Sequence, residues 1–133
     1  MIKFDEEKVL LMYKLLVQET GGFYGIRDRG LLNSSLNSAF QTFGGKDLYP
    51  TIQEKAAKLG YSFISNHAFV DGNKRIGILV MLSFLEVNNV HLQYTDNELI
   101  EVGLSVARGE MDNNGLLGWI KKHEIVVENT YGC

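Results

Sequence analysis

The chain has 133 residues, 45% hydrophobic and 22% charged, with 13 Lys and Arg against 16 Asp and Glu for a formal charge of -3. That length predicts one domain over residues 1–133 with its own apolar core, and the composition excludes a disordered segment. Cations scattered without a stripe argue against direct DNA binding, and a lone Cys133 excludes an internal disulfide and a thiolate metal cage.

Residues 5 to 19 carry Val9, Leu10, Met12, Tyr13, Leu16 and Val17 at helical spacing, and Gly21-Gly22 ends that helix. Asp28 is the expected N-cap of a second helix burying Leu31, Leu32, Leu36, Ala39 and Phe40. From Thr42 to Pro50, two glycines and the only proline among β-favouring residues predict an exposed turn or short hairpin.

Thr51-Ile52-Gln53-Glu54 reads as a capping box for a third helix that runs into His67. Residues 74 to 87 are apolar nearly all round, as a central helix should be, and Asn88-Asn89 ends it. A short extended link, Val90 to Tyr94, precedes a second capping box, Thr95-Asp96-Asn97-Glu98, and a helix to about Gly109. Residues 112 to 124 form the last helix. The expected fold class is all-α, a single bundle of about six helices with one short β-like flap.

The acidic start, Met1-Ile2-Lys3-Phe4-Asp5-Glu6-Glu7, has no signal-peptide stretch, so export is not expected. The longest apolar run, Ile76 to Leu85, falls short of the roughly 20 residues that cross a bilayer, so no membrane association is expected. A reducing, cytoplasmic location follows from the cysteine usage.

The chemistry concentrates in His67-Ala68-Phe69-Val70-Asp71-Gly72-Asn73-Lys74-Arg75, a loop between two helices. Phe69 can plug the core and hold the loop still. Gly72 can take positive φ, and Asn73 stands where it can cap the central helix, directing free amides at an anion. Lys74 and Arg75 add charge suited to a polyphosphate, and Asp71 is a hard oxygen ligand for an accompanying Mg²⁺. An imidazole at His67 can accept a proton from a hydroxyl near neutral pH. Taken singly, each has a plain structural explanation: a loop histidine, a turn aspartate, a solvated Lys-Arg pair. Their joint spacing points to transfer of a phosphate-containing group from a nucleotide to a hydroxyl.

That spacing resembles the signature of the Fic/death-on-curing (Fic/Doc) family, His-x-Phe-x-Asp/Glu-Gly-Asn, followed here by the Lys-Arg of the death-on-curing branch. Arg27-Asp28-x-Gly30-Leu31-Leu32, Gln41-Thr42-Phe43-Gly44-Gly45 and Leu48-Tyr49-Pro50-Thr51 are also similar to that branch, so the resemblance covers residues 5 to 122. It implies that His67 is the general base, that Asp71 holds the metal, and that Gly72, Asn73, Lys74 and Arg75 receive the phosphates of ATP. It implies further that the flap, Phe43, Gly44, Gly45 and Lys46, aligns a target peptide.

Toxins of this branch phosphorylate a threonine of translation elongation factor Tu and are restrained by a small antitoxin protein. A protein kinase toxin is therefore the expected function, with AMP transfer on the same scaffold as one alternative. A non-catalytic nucleotide- or protein-binding module is the other, and the intact His67 and Asp71 argue against it.

Three departures stand out. Arg29 replaces a frequent proline, Ile76-Gly77 replaces a frequent Thr-Ala and is expected to alter the floor of the phosphate pocket, and Ile78 occupies the place of the second arginine of the longer Fic motif. The inhibitory motif of self-restrained relatives is absent, since Glu128-Asn129 is preceded by Glu124 where Ser or Thr is required. Restraint in trans is therefore expected. Gly72-Asn73-Lys74 is not a P-loop, and His123-Glu124 lacks a zincin's second histidine. His91 and His123 read as surface or packing residues, and Met12, Met81 and Met111 as core filler.

Overall fold

The computed structural model describes residues 1–127; Cys133 and the Glu128-Asn129 pair lie outside the described residues. Six α-helices appear among the described residues: α1 (Glu6–Thr20), α2 (Arg29–Asn37), α3 (Ile52–Asn66), α4 (Asn73–Val87), α5 (Asp96–Ala107) and α6 (Asn113–His123). A short 3-10 turn, Ser38–Phe40, extends α2.

Helix starts follow local chemistry. The side chains of Asp5, Asp28, Thr51, Thr95 and Asp112 each accept a backbone N–H three residues on, satisfying amides that the first turn leaves without partners. The Thr95 box is reciprocal, with Glu98 accepting from the Thr95 amide. At Thr51 the return bond is missing, because Glu54 takes the Thr51 hydroxyl proton instead.

The central position of α4 is the main architectural expectation, and it holds. Ile76, Val80, Met81, Phe84 and Leu85 are buried, with α3 packed along one side and α1 and α5 beside it. The contact with α3 is close because both partners are glycine where the helices meet. A Cβ on Gly77 would lie 2.5 Å from Ile64 Cγ1 and 3.0 Å from the Gly60 carbonyl oxygen. Ile76 and Gly77, expected to alter the floor of the phosphate pocket, face the interior and α3, and neither borders the depression at the His67 to Arg75 loop. The Ile76 side chain is buried in the core and the bare Gly77 backbone allows the close approach of α3, so this departure from Thr-Ala has a helix-packing explanation.

Two small antiparallel ribbons accompany the helices. The flap, β1 (Thr42–Phe43) with β2 (Lys46–Asp47), turns through Gly44 and Gly45 at φ 60° and 79°. Both central residues of such a two-residue hairpin need positive φ, which glycine adopts without steric penalty. The second ribbon pairs β3 (His91–Leu92) with β4 (Glu124–Ile125). Sequence patterning shows only an extended link at residues 90 to 94 and runs the last helix through Glu124. The partner strands are more than thirty positions apart, so no local signal marks them as a pair. No described helix is long and apolar enough to cross a membrane.

Candidate active site

Helix α3 ends at His67, which adopts the left-handed conformation (φ 52°, ψ 51°) as its C-cap. A non-glycine residue there carries strain of order 1–3 kcal/mol, held only because the surroundings determine it. Those surroundings are explicit. Arg27 Nε donates to the His67 carbonyl at 2.7 Å and its guanidinium reaches the Asn66 carbonyl at 3.3 Å. The backbone amides of Arg27 and Asp28 donate to the Ala68 carbonyl. The imidazole is exposed and has no protein hydrogen-bond partner among the described residues, so it is free to meet a hydroxyl.

Phe69 is 1% exposed, as the plug reading requires. Its ring stacks on Tyr13 of α1 with centroids 3.9 Å apart. Asn73 behaves differently from expectation. The cap of α4 is Gly72, at φ 81° and without a side-chain bond, while Asn73 is the first helical residue. The Asn73 amide turns back to Phe69, accepting from its N–H and donating to its carbonyl, each at 3.0 Å. Asn73 thus closes the loop on itself and leaves the first amides of α4 without a side-chain cap. Free amides at a positive helix end are groups that can bind an anion.

Asp71 is anchored on three sides. Its carbonyl accepts the Tyr13 hydroxyl at 2.8 Å, Oδ1 accepts from Gly72 N–H at 2.9 Å, and Oδ2 accepts from Phe23 N–H at 3.2 Å. Each carboxylate oxygen keeps a lone pair. Among the described residues no three His, Cys, Asp or Glu side chains cluster as a metal cage. A cation bound at Asp71 would complete its shell with phosphate oxygens and water, the mode that suits Mg²⁺ beside a polyphosphate.

The two cations flank the same end of α4. Arg75 Nη1 donates to the Thr20 hydroxyl and lies 3.4 Å from the Gly21 carbonyl oxygen, so the end of α1 steers the guanidinium. The Lys74 stem runs against α5, where a Cβ on Gly103 would lie 3.4 Å from Lys74 Cγ. His67, Val70, Asp71, Gly72, Asn73, Lys74 and Arg75 together border one open depression of about 420 Å³. The geometry brings all six predicted polar-loop positions to one place.

A family model described as Fic/DOC family matches residues 3–85, more than half of the chain. The chain belongs to the Fic/DOC family. It is also similar to a curated relative, "Toxin Doc" of Mycolicibacterium smegmatis (strain ATCC 700084 / mc(2)155), at 43% identity over 72 residues. The matched segment is 54% of this chain and 55% of the relative, so the chain spans about half the length of the curated relative it matches.

Several supports of this Fic/DOC loop escape sequence reading. Tyr13 sits on the apolar stripe of α1 and reads as packing, although a buried tyrosine hydroxyl usually has a partner and so hints at one. Gly22, read as a helix terminator, backs directly onto the site, since a Cβ there would lie 2.6 Å from Asp71 Oδ2. Lys55, which sequence reading did not single out, is buried. Arg29 is the first residue of α2 and pairs with Glu6 at 3.0 Å, which ties α1 to α2. His123 is a packing residue, buried between a Trp119 carbonyl bond at 2.8 Å and Glu98 at 2.6 Å. His91 is half-buried and faces Glu86 at 3.4 Å.

Proposed function

We propose that this Fic/DOC protein is the toxin of a toxin–antitoxin module, a kinase that moves the γ-phosphoryl group of ATP to a threonine hydroxyl of a translation elongation factor. By resemblance to the death-on-curing branch the target is elongation factor Tu, and the outcome is arrested translation in the cytoplasm. The observation carrying this reading is the shared depression at the start of α4, where a free imidazole, an anchored carboxylate, uncapped amides and two cations meet.

The roles follow from that placement. The first amides of α4, with Lys74 and Arg75, would bind phosphate oxygens. Asp71 would hold Mg²⁺, which supplies charge neutralisation between phosphates when bound. His67 accepts the threonine proton as the hydroxyl oxygen bonds to phosphorus, and ADP leaves. The Phe43 to Lys46 flap offers strand-like main chain to the target segment.

Lys74 favours phosphate over AMP transfer. With glycine at this position the backbone makes a nest for the inner phosphates, whereas a lysine stem crowds it and adds a cation. Ile78 lies beside Lys74 and presents no charge to an outer phosphate. AMP transfer is kept as the second reading because uncapped helix amides serve an α-phosphate equally well.

The partner reading rests on a groove that starts at the same cations. Leu16, Leu79, Leu82, Leu99 and Ile100 line a space of about 440 Å³ that also touches Lys74 and Arg75. An amphipathic antitoxin segment fits such a surface and would cover the site from there.

Intact-mass analysis of elongation factor Tu after incubation with the protein, ATP and Mg²⁺ tests the whole reading. A gain of one phosphate, roughly 80 Da, is expected. A gain of one AMP instead establishes the second reading, and no gain overturns both. His67→Ala should abolish the modification and the growth arrest caused by expression.

A further inference from the structure

Lys55 is the only buried lysine or arginine among the described residues, at 2% exposure on the first turns of α3. Its Nζ donates to Asp47 Oδ2 at 3.1 Å and to the main-chain carbonyl of Tyr49. Asp47 is the last residue of β2 and pairs across the flap with Thr42. Tyr49 leads from the flap to the Thr51 cap, and Lys58, one turn along α3, lies 5.7 Å from the Tyr49 ring. One ammonium thus grips the end of the returning strand and the segment just after it from inside the bundle.

An apolar residue of similar volume can often take the place of a buried charge in such a pair at little cost in stability, so what the Lys55 ammonium adds is a fixed geometry for what it holds. The flap has few other attachments. Besides its own pairing, Leu48 N–H donates to the Gln41 carbonyl at 3.0 Å, and Phe43 at the tip is exposed. Two-residue strands of this kind do not hold their shape unaided.

We propose that Lys55 is a positioning residue that keeps the flap in the extended form needed to receive the target segment. The inference rests on the proposed function for what the flap receives. Released from Lys55, the flap would have to be ordered as the target binds, and the loss would fall on target affinity. Nucleotide binding and the chemistry at His67 lie in another part of the chain and would be spared.

The test compares the parent with Lys55→Met and with Asp47→Ala, which breaks the same contact from its half-exposed side and serves should the core variant fold poorly. Millisecond hydrogen exchange should show faster exchange of amides 42 to 48 in the variants, with α4 unchanged. With elongation factor Tu as acceptor, KM should rise about tenfold, the factor set by ordering one further backbone residue on binding. The kcat, and ATP hydrolysis without acceptor, should stay as in the parent. Flap exchange that is equal in parent and variants overturns the proposal, as does a fall in kcat at unchanged KM. A parent that modifies no target defeats the proposed function instead, and the exchange measurement then still decides whether Lys55 holds the flap.

Discussion

The hydroxyl of Tyr13 donates to the main-chain carbonyl of Asp71 at 2.8 Å while its ring stacks on Phe69, so one residue of α1 fastens both the Phe69 anchor and the backbone that carries the Asp71 carboxylate. The same oxygen lies 3.1 Å from the Phe23 carbonyl, which brings the segment after α1 to the same point. Tyr13→Phe keeps the stacking and removes the bond. We expect it to lower stability by ~1 kcal/mol, the usual loss for one hydrogen bond. We expect kcat to fall by about tenfold or more as the carboxylate drifts. Denaturant midpoints and transfer rates measured together check both.

Asn73→Ala should be costly although the side chain faces the loop and not the anion site. It leaves the N–H and carbonyl of buried Phe69 without their partner, a loss of ~1–3 kcal/mol. Nucleotide affinity and stability should fall together. A variant as stable as the parent would show that Asn73 acts on the ligand alone.

Gly22→Ala puts a methyl group 2.6 Å from Asp71 Oδ2 at a backbone φ of 104°. The carboxylate or the segment must move, and the Mg²⁺ concentration supporting half-maximal transfer should rise. Gly21→Ala, where nothing lies within 4 Å of the added carbon, is the control for the backbone conformation, since Gly21 also has positive φ.

His67→Gly separates chemistry from folding. Glycine relieves the left-handed strain at φ 52°, so the unfolding midpoint should hold or rise, with a gain of up to ~1 kcal/mol. Transfer should disappear. A destabilised His67→Gly protein would mean the ring makes contacts that the geometry does not show.

Glu98 has its pKa lowered from 4.5 to about 2, first by the His123 side chain and then by the Thr95 bonds. A depressed carboxyl contributes stability that is fully present above about pH 4.5 and is lost as pH falls toward about 2. Urea midpoints measured from pH 6 to pH 2 should fall less steeply for Glu98→Gln than for the parent. Parallel curves would dissociate the carboxylate from acid unfolding.

Much of this molecule is legible locally. Helix starts at Asp5, Asp28, Thr51 and Thr95 and the flap turn at Gly44-Gly45 are decided within four or five residues, which is why spacing and turn chemistry find them. The loop from His67 to Arg75 is legible for the same reason, because its functional groups are adjacent in the chain. Asn73 is the instructive exception: a cap and a bond back to Phe69 use the same side chain, and sequence cannot choose between them.

The sequence by itself determined the helical order, the flap and the composition of the polar loop, since each depends on neighbours along the chain. Tertiary structure alone decided that Tyr13 and Phe23 hold Asp71 while Gly22 leaves it room, that Lys55 turns inward to the flap, that Gly60 meets Gly77, and that β3 pairs with β4. These contacts join residues far apart in sequence, and their partners are selected by how the helices pack around α4, which no local propensity encodes.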